Sequence, residues 1–246
     1  MRPFFSVTFF TVSSGAGYGL LTLLGLVGNA HGKASTMAFG LTAITVAMVL
    51  ITAGLVASTV HLGRPQLAWR SSWVSRLGVA AVITYPIALA YGCAWSGLVD
   101  APVLIAPLRI LTALMCTFTA FCAGMIYHSR TASPAWHSKV AVAAYLAFAL
   151  ASGSGLLNAI SFIFGRFQTD AGKFMALLTV ALILIAIALK WFDRSNHNRK
   201  LQIVVFALPA MALALTLLSL IFPWLTFIVV LLVLAAAWTE RWHFFA

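Results

Sequence analysis

The sequence predicts an all-α, polytopic membrane helix bundle of about eight transmembrane helices, and three observations predict it. Of its 246 residues, 63% are hydrophobic and only 8% are charged, against roughly 25% charged in a soluble domain. Its apolar runs exceed the roughly 18 residues that mark a spanning helix. Stretches such as Ala176 to Ala188 are apolar on every side and do not alternate. Only helix bundles and closed barrels pair every backbone amide in hydrocarbon, and the absence of alternation favours the bundle. The chain is read as a single transmembrane domain over residues 1–246.

Charged, Pro, Gly and Asn clusters divide the apolar runs. The predicted helices are 5–28, 35–60, 77–97, 107–127, 138–164, 173–192, 201–221 and 223–239. The last two are parted only by Phe222-Pro223-Trp224. Pro223 disfavours helix at Phe222, and Trp224 suits the headgroup level. A turn is therefore expected there, and not one long kinked helix. Arg2 precedes a long apolar run with no small-residue cleavage site, so the first segment reads as a membrane helix. Gly15-Ala16-Gly17-Tyr18-Gly19 within it reads as a close helix-packing surface.

A formal net charge of +11 would point to nucleic acid in a soluble protein. Here the charges sit between apolar runs, which excludes that class and reads as topology signals and lipid-headgroup contacts. Face A is the membrane face that receives the N-terminus, the even-numbered gaps and the C-terminus. It collects Arg2, Arg64, Arg70, Arg76, Arg130, Lys139, Lys190, Arg194, Arg199, Lys200 and Arg241, eleven in all. Face B holds four: Lys33, Arg109, Arg166 and Lys173. Lys and Arg are retained on the cytoplasmic side during insertion, so the expected topology is N-in and C-in, with face A cytoplasmic in a cell inner membrane.

The acids Asp100, Asp170, Asp193 and Glu240 all read as lying in or near gaps. Proton pumps and ion-coupled transporters keep carboxylates at membrane depth, so a transporter is not the expected class. Cys93, Cys116 and Cys122 form no CxxC pair and read as small buried hydrophobes. No iron–sulfur cluster or structural zinc is expected in this chain.

Chemistry concentrates on face A. The longest polar gap, 61–76, contains His61, Arg64, Pro65, Trp69, Arg70, Trp73, Ser75 and Arg76. The gap from Tyr127 through His128, Arg130 and Pro134 to Trp136 and His137 repeats that composition, and the C-terminus adds Trp238, Arg241, Trp242 and His243. An aromatic belt with headgroup-binding arginines explains the Trp and Arg residues. It gives imidazole no special task. A quinone pocket near the headgroup level does, because a quinone oxygen needs a partner that exchanges a proton near neutral pH. Both readings stand on the residues. The candidate pocket residues are His61, Arg64, Trp69, Trp73, Ser75, Arg76, Tyr127 and His128. The histidines lie at helix ends, not at membrane depth on facing helices, so haem is not expected.

His61-Leu62-Gly63-Arg64-Pro65, then Ala68-Trp69-Arg70, then Ser72-Trp73-Val74-Ser75-Arg76 resemble the signature of the membrane anchor subunits of the dimethyl sulfoxide reductase family. Met125-Ile126-Tyr127, Pro134-Ala135-Trp136-His137 and the ending Glu240-Arg241-Trp242-His243-Phe244-Phe245-Ala246 look like the same family. The resemblance implies eight helices, no haem, and a site for quinone (ubiquinone or menaquinone) beside the loop after the second helix, with His61 as its histidine. It implies an iron–sulfur electron-transfer subunit and a molybdenum catalytic subunit as partners. Arg70, Arg130, His137 and Arg241 are then the candidate docking residues.

In the respiratory dimethyl sulfoxide reductases the corresponding face points to the periplasm. A cytoplasmic face A is instead what the sulfite-oxidising members imply, and Ser-Trp-Val-Ser-Arg looks closer to that branch. The expected function is therefore an anchor that passes electrons from cytoplasmic sulfite oxidation to the quinone pool. The alternatives are a quinol-oxidising anchor of the dimethyl sulfoxide reductase type and a purely structural anchor. Two departures bear on the site. Leu77 stands where the family usually has Glu, and the 61–76 loop is shorter between Arg70 and Ser71.

Overall fold

The computed structural model describes residues 3–27, 34–62, 72–128, 139–192 and 199–245. Within them the chain forms α1 (Pro3–Val27), α2 (Ala34–Leu62), α3 (Ser72–Trp95), α4 (Pro102–His128), α5 (Lys139–Ile163), α6 (Asp170–Phe192), α7 (Arg199–Ser219) and α8 (Thr226–Phe245), with a short 3-10 turn at Pro223–Leu225 before α8. Among the described residues there is no strand. Seven of these helices are long and apolar enough to cross a membrane, and α7 carries a shorter apolar segment, Ile203–Ser219. The protein is a multi-pass helical membrane protein.

The bundle is built around α1, which packs on α2, α4, α5 and α8. Tyr18, Leu20, Leu21 and Leu24 are buried within it. The outward surface is hydrocarbon: Val82, Val103, Ile203 and Leu231 are each about two-thirds exposed or more. A soluble protein rarely leaves so much contiguous apolar surface uncovered, and a bilayer covers it.

Close approach of α1 and α5 depends on two glycines. A Cβ added to Gly19 would lie 2.0 Å from the carbonyl oxygen of Ala149, and one added to Gly153 would lie 2.2 Å from the backbone of Gly19 and Leu20. Small residues at such crossings let backbones touch and gain dispersion energy where the hydrophobic effect gives none. The Gly15–Gly19 run therefore serves packing, as its spacing predicts. Gly153→Ala is expected to destabilise the protein by about 1–3 kcal/mol, read as an earlier thermal transition in detergent. A transition matching wild type would contradict this crossing.

Helix ends follow local chemistry. Gly165, at φ +65°, closes α5: its N–H donates to Phe162 O (3.0 Å) and that of Arg166 to Ser161 O (2.7 Å), the Schellman pattern that glycine favours. Thr169 caps α6, its Oγ1 accepting from the Gly172 N–H at 3.2 Å. Arg109 Nη2 donates to Leu26 O at 3.1 Å, pairing one of the carbonyls that the end of α1 leaves open. The expected turn between the last two helices is present. Phe222 is extended (φ −117°, ψ 83°) ahead of Pro223, as the proline ring requires.

Two boundaries differ in ways that matter for the site. α3 begins at Ser72, not 77, so Trp73, Ser75 and Arg76 are helical. α8 runs to Phe245, not 239, so Glu240 and Arg241 sit on its wall and not beyond it.

Candidate functional site

Helix ends assigned to face A come together. Ser6 Oγ donates to Ala57 O (2.6 Å), joining the start of α1 to the end of α2. Tyr145 Oη donates to Thr11 O (3.3 Å), joining α5 to α1. Phe10, Leu77, Cys122, Ala123, Ile126 and Tyr145 form one buried apolar cluster, with Leu55, Trp73 and Val74 packed against it. That cluster is an apolar floor built from α1 to α5, beneath the ends that carry the candidate pocket residues.

On this floor the first turns of α3 present a defined pair. Arg76 places its guanidinium carbon 4.5 Å from the centroid of the Trp73 ring. Residues i and i+3 of a helix share a face, and a cation over an indole face is attracted by the ring quadrupole. The ring is also held by α4: Phe121 meets Trp73 edge-to-face at 6.1 Å. Trp73 and Ser75 are half-buried and Arg76 is exposed. The cation thus faces outward while its indole platform is clamped. His128, the last residue of α4, is half-buried at the same membrane face. Leu77 is buried in the floor.

His61 and Tyr127 lie on the terminal turns of α2 and α4, and their side chains fall outside the described residues. Arg64, Trp69, Arg70, Arg130 and His137 also lie outside them. Of the predicted residues, the structure therefore brings together Trp73 and Arg76; Ser75 lies on the same turns of α3, and His128 ends the neighbouring α4. The structure places Arg241 elsewhere. Expected on a docking surface, Arg241 is buried at 3% exposure, with its guanidinium over the Tyr145 ring (5.0 Å to the centroid).

The reason is a buried ion cluster that the sequence does not announce. Glu240 is fully buried. Its Oε1 accepts from Arg241 Nη2 at 3.0 Å and from Lys190 Nζ at 3.4 Å, and its Oε2 accepts from Arg241 Nε. Lys190, on the last turn of α6, is itself 8% exposed. Glu240 thus lies near the end of the last span, as expected of an acid in or near a gap, but it is buried inside the protein and not exposed at its surface. Burial of one such ion is tolerable only because opposite charge and hydrogen bonds accompany it. The cluster lies two residues from the end of the Pro223–Trp242 span, not at midplane. Glu240-Arg241 beyond an apolar run reads as a tail. The signal that could have found it was Lys190, a cation of opposite sign predicted at the same face.

Among the described residues no group of three His, Cys, Asp or Glu side chains that could hold a metal comes together. Cys116 and Cys122 are buried singly, as their apolar surroundings predict, and Cys93 is partly buried.

The fold and this face define a polytopic helical membrane protein with an aromatic and cationic platform at one membrane surface. A family model described as "DMSO reductase anchor subunit (DmsC)" matches residues 2–244, and the chain belongs to that family. Among curated proteins it is similar to the C subunit of a sulfite dehydrogenase from Allochromatium vinosum, with 30% identity over 231 aligned residues, covering 83% of this chain and 70% of the relative. No solved structure matches the chain. The family and this relative support a membrane anchor subunit of a multi-subunit oxidoreductase.

Proposed function

We propose that this chain is the membrane anchor and quinone-binding subunit of a molybdenum and iron–sulfur oxidoreductase in a cell inner membrane, and that it passes electrons from cytoplasmic sulfite oxidation to the quinone pool. The observation that carries the quinone reading is the Trp73–Arg76 platform on an apolar floor, at the face where α4 ends in His128 and His61 lies on the last turn of α2. The similarity to a sulfite dehydrogenase subunit supports the choice of substrate. The eleven-to-four excess of Lys and Arg on face A supports its cytoplasmic placement.

On this reading each residue has a task. The floor of Leu55, Trp73 and Leu77 receives the apolar ring. Arg76, steadied over Trp73, stabilises negative charge that develops on a quinone oxygen. His61 donates a hydrogen bond or a proton to that oxygen, and Tyr127 or His128 meets the other. Arg64, Trp69 and Ser75 complete the mouth. Sulfite and water yield sulfate, two protons and two electrons on the catalytic partner, and the quinone takes up two electrons and two protons to become quinol. The partner's iron–sulfur subunit docks on face A through Arg70, Arg130 and His137, so no electron path across the membrane is needed.

Purification of the native complex from membranes in mild detergent, with metal and quinone analysis, tests this. Co-elution of molybdenum, iron and quinone is expected. A lone polypeptide without any of them would overturn the reading. A second reading, a structural anchor with a degenerate quinone site, draws on Leu77 being an apolar core residue where the family usually has an acid. It predicts that His61→Ala leaves turnover intact.

A further inference from the structure

A small cavity lies beside the Glu240 cluster, between α1, α5 and α8. It has room of about 10 Å³ for the centre of a water molecule, close to what one ordered water needs. Val12 is half-buried and every other lining residue is buried, so the cavity belongs to the interior. On α5 the wall is Tyr145, Phe148, Ala149 and Ser152, whose spacing of three and four residues puts them on one face of the helix. Gly15 of α1 leaves the space open: a Cβ there would lie 3.2 Å from Tyr145 Oη and 3.4 Å from Ala149 Cβ.

Five polar side chains line this cavity: Thr11, Tyr145, Ser152, Glu240 and Arg241. Four of them are hydrogen-bonded within the protein. Thr11 Oγ1 donates to Val7 O (3.1 Å) or Thr8 O (3.0 Å), Tyr145 Oη donates to Thr11 O, and Arg241 donates to Glu240. Ser152 differs. It is 2% exposed, and its buried hydroxyl has no hydrogen-bond partner among the described residues. A serine or threonine inside a helix can bond back to a carbonyl one turn earlier, as Ser14 does to Phe10 O at 2.6 Å and Thr179 to Met175 O at 2.9 Å. Ser152 does not, and a buried hydroxyl left unsatisfied is unfavourable. Glu240 also has capacity to spare. A carboxylate offers about four acceptor positions, and Glu240 uses three, one for Lys190 and two for Arg241.

A single molecule that both accepts and donates meets both needs. We propose that this cavity binds one ordered water, which accepts from Ser152 Oγ and donates to the Glu240 carboxylate. Tyr145 Oη, a donor to Thr11 O, keeps a lone pair as a further acceptor. The total is then about three hydrogen bonds, the usual number for a buried water. The water is part of the ion cluster, because hydrogen bonds to the remaining lone pairs are what make a buried ion pair tolerable. It also ties that cluster to Tyr145, whose ring belongs to the apolar floor of the candidate site. The inference rests on the Glu240 cluster and stands apart from the quinone reading.

An X-ray structure of the full-length chain, crystallised in a lipid mesophase at a resolution that shows ordered waters, tests this. A peak is expected within hydrogen-bond distance of both Ser152 Oγ and the Glu240 carboxylate, and it should be lost in Ser152→Ala. A dry cavity in crystals that show waters elsewhere would overturn the proposal, as would a peak unchanged in Ser152→Ala. Crystals grown in bromide check the nature of the occupant: an anomalous bromide peak at this position would make it an anion and overturn the water assignment. Thermal unfolding of the same two proteins in detergent gives an independent sign. With the water bound, Ser152→Ala removes one of its partners and shifts the transition down. With no water, the substitution removes an unsatisfied hydroxyl and shifts the transition up or leaves it in place, and that result would contradict the proposal.

Discussion

Replacing Glu240 by alanine is expected to destabilise the bundle by about 3–5 kcal/mol. The substitution removes the carboxylate that Lys190 and Arg241 share and leaves both cations inside the protein. Desolvating a charge costs several kcal/mol, and here the opposing carboxylate offsets much of that cost. The effect should propagate, because Arg241 also lies over Tyr145, which reaches α1 through Thr11. Loss of Glu240 therefore loosens α8 from α5, α6 and α1 together. Glu240→Gln keeps the shape and one acceptor, so it should cost less. A Glu240→Gln, Lys190→Met double variant should recover part of the loss, since a buried positive charge leaves with the negative one. Thermal unfolding in detergent, followed by tryptophan fluorescence, checks the series. A Glu240→Ala transition equal to wild type would mean that the cluster does not form in the folded protein.

The largest functional effect is expected at His61. In the assembled complex His61→Ala should lower quinone turnover by about 10²-fold or more, the range for losing a positioned proton donor. Folding and partner recovery should be unchanged, because α2 is held chiefly by its packing on α1. Arg76→Ala should act differently. It removes a charge from the mouth of the site, so the expected change is a smaller fall in turnover together with a higher KM for quinone. Steady-state kinetics on both variants separates these roles. Intact turnover in His61→Ala would favour the structural-anchor reading.

Much of the fold was legible in the sequence because a bilayer imposes few choices. Long apolar runs must be helices, and Pro223 had to break the last pair. The errors occurred where tertiary packing overrode local composition. Ser72-Trp73-Val74-Ser75-Arg76 reads as interfacial loop, but Trp73 has Phe121 to pack against and Val74 has the floor, so the segment is the start of α3. Glu240-Arg241 reads as a polar tail, but Lys190 gives the acid a partner from another helix and α8 continues. No local pattern reports such a pairing.

The site was legible only in part, for a related reason. Trp73 and Arg76 were identifiable as residue types, and their stacking follows once both are helical. Whether an arginine faces a partner protein or an internal carboxylate depends on rotation about the helix axis, which is why Arg241 was placed on the surface by its sequence and in the interior by its contacts.

The central claim is that sulfite electrons enter the quinone pool at face A, on the cytoplasmic side. The most direct measurement adds sulfite to sealed membranes of both orientations and follows quinone reduction. Inverted vesicles, which expose the cytoplasmic face, are expected to reduce quinone, and intact spheroplasts are not. Reduction in spheroplasts alone, or in neither preparation, would contradict the account.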